Sequence, residues 1–389
     1  MNIKTISELT NVKGKYILLR DDFNVQIVDG KIMDAFRIEQ SLPTIQKLKD
    51  MGARIAIASH LGRPDGAPNP EYSLAPIAEY MKIPLIPDCL DKDFMAEMKD
   101  GDVVLLENVR FHKGEEENDP EFAKQLADEF DIFVNDAFGV SHRAHASLVG
   151  VTKFLPSYAG ELLASEIAEL TKVMENPTRP LLGLVSGAKI KSKIGVIKAF
   201  GKLCDKIILA GGIGTGVLAA MGAKNLAMDA DNLEKYDDAV VHEIMKEFGD
   251  KIILPLEKGV APVWAPNAAR TDKMMADILP GDVPMDEGPA SVAEYNRAID
   301  AAKTLIWNGT VGMAEWQPTW SVGTFALARH IALRTRAGEL ESIIGGGDTV
   351  AAVEAAGVLS DITYASTGGG AFLEFIEGKK LPGIAALEK

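Results

Sequence analysis

Cysteine is nearly missing from this sequence: Cys89 and Cys204 are the only two in 389 residues, and they fall in no metal-binding or redox spacing. A disulfide scaffold is therefore excluded, and the pair fits buried thiols in a reducing cytosol. Long apolar runs are missing too. No stretch approaches the roughly 20 residues that span a bilayer, and the segment from Met1 to Val12 lacks the apolar core of a secretory signal. Positive charge is in deficit. Lys and Arg number 41 against 56 Asp and Glu, which leaves a formal net charge of −15. Nucleic acid is disfavoured as a partner, because a phosphate backbone needs a basic face. A small anion can still bind where basic residues gather against the general field.

What is present is ordinary for a globular chain, with 47% hydrophobic and 25% charged residues. The length exceeds what one core usually organises, so two domains are expected. Runs rich in Val, Ile and Leu recur at 16–20, 54–58, 103–106, 132–135, 181–185, 206–210, 252–255, 304–307, 341–344 and 362–365, with helical patterns between them. Continuous apolar strands alternating with amphipathic helices predict an α/β fold with parallel sheets covered on both faces. Ligands of such sheets bind beyond the carboxyl ends of the strands.

In the N-terminal half those ends are polar and basic. Asp21, Asp22, Phe23 and Asn24 follow the first run, and Ser59, His60, Leu61, Gly62, Arg63 and Pro64 the second. Glu107, Asn108, Val109, Arg110 and Phe111 follow the third, and Asp136 leads to His142, Arg143 and His145 after the fourth. Arg37 precedes a helical pattern. A lone arginine reads as solvated surface. Arg63, Arg110 and Arg143 after three different buried strands read better as one anion site, because grouped guanidinium groups repel unless phosphate or carboxylate bridges them.

In the C-terminal half the ends are glycine-rich: Gly211, Gly212 and Gly214; then Gly345, Gly346 and Gly347 before Asp348 and Thr349; then Gly368, Gly369 and Gly370. Each cluster precedes a helical pattern, so backbone N–H groups and a helix N-terminus can meet phosphates. A P-loop fingerprint is absent and the dinucleotide fingerprint fails at Val217. Lys189 and Lys193, four apart, suggest a shared anion, with a solvated face as the alternative. Asp348 suits a Mg²⁺ held on nucleotide phosphates. Trp307, Asn308 and Glu315 could line a nucleoside. The acidic run 115–117 reads as a solvated loop, and His330, Trp264, Trp316 and Trp320 receive no role.

Taken in order along nearly the whole chain, these strand-end motifs resemble the phosphoglycerate kinase family. The resemblance implies two doubly wound parallel-sheet domains (three-layer α/β/α) joined by a hinge helix at 160–175. One domain would be residues 1–170 with a returning tail from about 373 to 389, and the other residues 171–372. It implies a 3-phosphoglycerate site at Asp22, Phe23, Asn24, Arg37, His60, Leu61, Gly62, Arg63, Arg110 and Arg143. It implies a nucleotide site at Lys193, Gly211, Gly212, Asn308, Glu315, Gly346, Gly347, Asp348 and Thr349, with Asp348 on Mg²⁺. Arg37, Lys189 and the amides of Gly347 and Gly370 would meet the phosphoryl group in flight. The implied partners are 3-phosphoglycerate or 1,3-bisphosphoglycerate and ADP or ATP, in a cytoplasmic monomer without nucleic acid or membrane. Asp21 and Gln26 depart from the family's usual aliphatic residue and proline, and Thr310 from proline. Glu287 and Ala290 interrupt a familiar Asp-x-Gly-Pro-Lys/Arg pattern, and Gly214, Thr215 and Gly216 are smaller than usual.

The implied chemistry needs no general base, since a phosphate oxygen attacks and a carboxylate leaves. Positioning, charge neutralisation and closure against water would suffice. Three rivals remain at this stage: an α/β kinase using Asp22 as base on another anionic metabolite, an NAD-linked oxidoreductase, and a scaffold without activity.

Overall fold

The computed structural model describes residues 3–188, 190–223 and 238–388. The chain forms two compact units, Met1–Glu169 with Lys379–Lys389, and Leu170–Gly378. The change of unit falls within the helix Glu161–Glu175, and the return begins at Lys379, later than the 373 expected.

The first unit contains β1 (Tyr16–Arg20), a hairpin of β2 (Ile27–Val28) and β3 (Lys31–Ile32), then β4 (Arg54–Ala58), β5 (Leu85–Ile86), β6 (Val103–Leu106), β7 (Ile132–Asn135) and β8 (Ser157–Ala159). Six of these make one parallel sheet in the order β5-β6-β4-β1-β7-β8. Strand order runs outward both ways from β1, so the sheet is doubly wound, with its switch point beside β1. Side chains alternate between two cores, as a period of two dictates. Leu18, Ala56, Leu106 and Phe133 pack on one face. Ile17, Leu19, Ile55, Ile57 and Val134 pack on the other. Each such side chain contributes about 1.5–3 kcal/mol of transfer free energy. Two-sided burial explains why these strands read as unbroken apolar runs. The short edge strands β5 and β8 carry too little pattern to be read from sequence.

The second unit contains β9 (Leu181–Val185), β10 (Lys206–Leu209), β11 (Ile252–Ile253), β12 (Glu257–Ala261), β13 (Thr271–Met274), β14 (Val283–Glu287), β15 (Thr304–Asn308), β16 (Glu341–Gly345) and β17 (Tyr364–Ala365). Its parallel sheet has the order β11-β10-β9-β15-β16-β17, again doubly wound, with the switch between β9 and β15. A second, antiparallel sheet of order β13-β12-β14 was not expected from the apolar pattern. Its strands carry Lys258, Lys273, Asp286 and Glu287, so the usual hydrophobic signal is broken by charge.

Helix ends follow local chemistry. The helix Pro120–Ala127 starts with Pro120 inside its first turn, and Asp119 accepts the Phe122 N–H at 2.8 Å. Helices Gly211–Ala220 and Gly347–Ala355 begin at the glycines themselves, directly after β10 and β16.

Candidate functional site

In the first unit β1 and β4 are paired parallel strands, so the residues that follow them leave the same edge of the sheet side by side. Asn24 Oδ1 accepts the Gly62 N–H at 2.9 Å, and its own N–H donates to Asp22 Oδ1 at 3.1 Å. Arg37 donates to the Asn24 carbonyl at 2.9 Å and lies 3.4 Å from Asp22 Oδ2. Arg110 donates to the Gly62 carbonyl at 2.8 Å. Gly62 has φ +59°, and a Cβ there would come within 2.3 Å of the Tyr72 ring, so glycine is required. Asp22, Asn24, Arg37, His60, Gly62 and Arg110 are thus brought together. Arg63 and Arg143 are exposed, and neither forms an ion pair among the described residues. Phe23 and Leu61 are 0% and 5% exposed and belong to the core, so it is their backbone that can serve the site.

His60 is held neutral. Burial pushes its pKa well below the ordinary value, and the charges of Arg20, Arg110 and Arg37 push it further. Its Nδ1 faces Arg20 Nη2 at 3.2 Å. Arg20 can only donate, so the hydrogen-bond network assigns the ring proton to Nε2.

Beneath this cluster lies a buried layer that sequence reasoning missed. Arg20 is fully buried and donates to Ser147 Oγ at 2.8 Å. Glu115, read as part of a solvated run, is also fully buried. It accepts from Ser147 N and Oγ at 2.8 and 2.7 Å and lies 3.6 Å from His145. Burial alone would raise its pKa, yet His145, Arg20 and Ser147 hold it below the usual carboxylate range. A charge closing an otherwise apolar strand, as Arg20 does, was the available signal. Asp21 and Asp136 form a second buried feature. Burial, then the neighbouring Asp136, raises Asp21 well above its ordinary pKa, and burial pushes Asp136 up to about 7.

In the second unit, Lys193 Nζ hydrogen-bonds Asn308 Oδ1. Asn308 Nδ2 donates to the Gly345 carbonyl at 2.6 Å, and Gly309 N–H to Thr349 Oγ1 at 2.8 Å. Gly346 takes φ +98° ahead of the helix Gly347–Ala355. An added Cβ at Gly347 would meet nothing within 4 Å, so that first turn faces open space, and Asp348 beside it is exposed. Burial pushes Lys193 down to about 8, against the opposing charge of Asp348. Lys193, Asn308, Gly346, Gly347, Asp348 and Thr349 therefore form one group. Lys189 lies outside the described residues. Glu315 is exposed and Gly370 starts the helix Gly370–Ile376.

Two expectations need correction here. Trp307 is fully buried, with Nε1 donating to the Gly309 carbonyl at 2.7 Å, so it cannot line a nucleoside. The Gly211 N–H is not free for phosphate, because it donates to Glu287 Oε1 at 2.8 Å. A Cβ at Gly211 would strike Ser186 Oγ at 2.4 Å, and one at Gly212 would meet two carbonyl oxygens at 3.0 Å. These glycines let two strand-end loops approach closely.

An Asp88, Cys89 and His112 cluster places three ligand-type atoms within 4.8 Å. Asp88 already accepts from Leu90 N–H at 2.9 Å and lies 3.0 Å from His112 Nε2. Burial raises the Cys89 thiol far above its ordinary value, the reverse of a poised thiolate. No helix among the described residues is long and apolar enough to cross a membrane.

One set of strand ends thus offers cations and a neutral imidazole donor, and the other a lysine, an open helix N-terminus and a carboxylate. Known proteins are similar to this chain in sequence and in fold. A family model described as phosphoglycerate kinase matches residues 6–379. A phosphoglycerate kinase of Methylorubrum extorquens is 42% identical over 397 residues, covering 99% of this chain and 98% of its own. The structure of phosphoglycerate kinase from Coxiella burnetii is similar with a TM-score of 0.82 at 38% identity, over 99% of this chain and 98% of that one. That of Pyrococcus horikoshii OT3 gives 0.88 at 28% identity, with the same coverage.

Proposed function

The chain belongs to the phosphoglycerate kinase family, and on that premise we propose that its two sets of strand ends divide the substrates between them. The reaction is phosphoryl transfer from 1,3-bisphosphoglycerate to ADP, giving 3-phosphoglycerate and ATP, and its reverse. The first unit takes the glycerate. The single observation that carries this is the gathering of Arg37 and Arg110 with the neutral His60 around Asp22 and Asn24; Arg63 and Arg143 are exposed and form no ion pair among the described residues. The His60 Nε2–H and the guanidinium groups suit a carboxylate and a phosphate, and a fixed neutral imidazole donates without proton exchange at neutral pH.

The second unit takes the nucleotide, with Lys193 and the open first turn of Gly347–Ala355 toward the phosphates. Asp348 would hold Mg²⁺: it is an exposed hard oxygen ligand in that turn, and Mg²⁺ commonly takes one or two carboxylates together with substrate phosphates. When bound, the ion neutralises phosphate charge. Arg37 and Lys189 supply charge to the transferred group, and the amides of Gly347 and Gly370 supply donors. Gly211 and Gly212 border the nucleotide as flat backbone. No proton has to move, since the attacking phosphate oxygen and the leaving carboxylate are both ionised. Asp22 is already engaged with Arg37 and the Asn24 amide, which argues against the rival in which it is a base. The same reading makes the protein a cytoplasmic monomer.

A coupled assay for ATP made from 1,3-bisphosphoglycerate and ADP tests the proposal. Formation should require Mg²⁺ and saturate in both substrates. ATP formed equally well in excess chelator would remove the metal, and none formed with Mg²⁺ present would sink the assignment.

A further inference from the structure

The antiparallel sheet β13-β12-β14 holds a feature that the reaction does not obviously need. Lys258 on β12 and Glu287 on β14 are direct cross-strand partners. Their side chains are 2% and 0% exposed, with Nζ 2.5 Å from Oε1. Burying two charges is costly, and well-packed apolar side chains commonly join two strands as well or better. The pair differs from such a replacement in what else it binds. Glu287 Oε1 accepts the Gly211 N–H at 2.8 Å, and Lys258 Nζ donates to the Gly211 carbonyl at 3.0 Å. One ion pair grips both polar groups of a single residue.

That residue sits at a demanding place. Gly211 has φ +60° and opens the helix Gly211–Ala220, whose preceding residue, Ala210, offers no side-chain cap. Two residues on, Ile213 N–H donates to the Gly187 carbonyl at 3.0 Å, tying the turn to the loop after β9. Lys193 Cε lies 3.9 Å from where a Gly187 Cβ would stand. The turn that the ion pair grips is therefore bonded to the loop that leads to Lys193. The Gly211 carbonyl has a second donor, Thr215 Oγ1 at 3.0 Å, whereas Glu287 is the acceptor of its N–H. Without Glu287 that half-buried amide loses its acceptor. Lys258 cancels the carboxylate charge, so the support adds no net repulsion toward an anionic ligand.

We propose that Lys258 and Glu287 are positioning residues for the nucleotide, holding the Gly211 turn in its receptive shape through the hydrogen bond to its amide. The proposal rests on the reading that this turn and Lys193 border the nucleotide. Two double variants separate the hydrogen bond from the charge. Lys258→Met with Glu287→Gln is neutral and keeps an oxygen for the Gly211 amide; Lys258→Met with Glu287→Leu is neutral and does not. Calorimetry should give an ADP Kd within about threefold of the parent for the Gln variant and roughly tenfold weaker or more for the Leu variant, a loss of one ordinary hydrogen bond's order. The 3-phosphoglycerate Kd should be unchanged in both.

Equal ADP affinity in the two variants, whether like the parent or equally weakened, would overturn the proposal. Lys193→Ala is the control for the underlying reading. If it leaves ADP binding intact, that reading is what has failed; if it weakens ADP while the two double variants agree, only the present proposal has. Should the Leu variant not fold, amide hydrogen exchange of the unmodified protein carries the test. Gly211 N–H should be protected without nucleotide, and exchange as fast as an open loop would refute the grip of Glu287.

Discussion

Replacing Asp136 by Asn should make the first unit more stable at pH 8 and barely change it at pH 4. Asp136 is fully buried beside Asp21, and burial pushes it up to about 7 from an ordinary 3.8. A carboxyl whose pKa is higher in the folded state keeps its proton where the unfolded chain releases it. Folding then loses stability as pH rises from the unfolded value through the folded one, at about 1.4 kcal/mol per pH unit. Over this window the loss sums to roughly 4 kcal/mol at pH 8. The Asn side chain keeps Oδ1 for the Leu163 N–H, which bonds Asp136 at 2.9 Å, but has no proton to lose. Its new amide donors cost about 1 kcal/mol if unpaired, so a net gain of about 3 kcal/mol is expected at pH 8. For a unit of this size that is a Tm rise of roughly 6–12 °C.

Circular dichroism melts of parent and variant at pH 5 and pH 8 measure it. Trp264, Trp307, Trp316 and Trp320 all belong to the other unit, so tryptophan fluorescence reports the unmutated unit as an internal reference. Equal Tm differences at both pH values would show that the pair does not titrate in this window. A variant less stable than the parent at pH 8 would show that the second carboxylate oxygen has a use that its missing hydrogen-bond partner conceals.

Arg37→Ala should lower kcat by about 10² or more, as for a lost electrostatic donor, while the fold persists; a change confined to KM would make it a uniform binder. Lys193→Ala should weaken ADP and spare 3-phosphoglycerate, and Arg63→Ala should do the reverse, with titration calorimetry deciding; equal losses in either variant would contradict the division between units. Asp348→Asn should raise the Mg²⁺ concentration for half-maximal rate, and an unchanged requirement would remove it from the metal. Lys193 loses its proton near pH 8, so ADP affinity should fall as pH rises above about 8, and a Lys193→Arg variant should flatten that fall.

The sequence by itself determined the fold class and the location of the chemistry. Strands buried on both faces, such as Leu181–Val185, must be apolar throughout, and that requirement is written directly in composition. Ligands of parallel sheets bind beyond the strand ends, which is where position in the sequence pointed to His60 and Asp348, while the roles expected of Arg37 and Lys193 came with the family resemblance. Tertiary structure decided what each residue is free to do. Phe23 and Trp307 stand inside the right motifs but are turned into the core: Phe23 lies in a loop, where periodicity cannot show a side chain's direction, and Trp307 lies in β15, a strand buried on both faces. Glu115 sits in an acidic run that any pattern reads as solvated, and only the approach of Arg20, His145 and Ser147 from distant segments makes its burial affordable. Gly211 likewise carries the composition of a phosphate turn, yet its amide belongs to Glu287, 76 residues away in the chain. Burial and pairing depend on contacts between segments far apart in sequence, and those contacts exist only once the chain has folded.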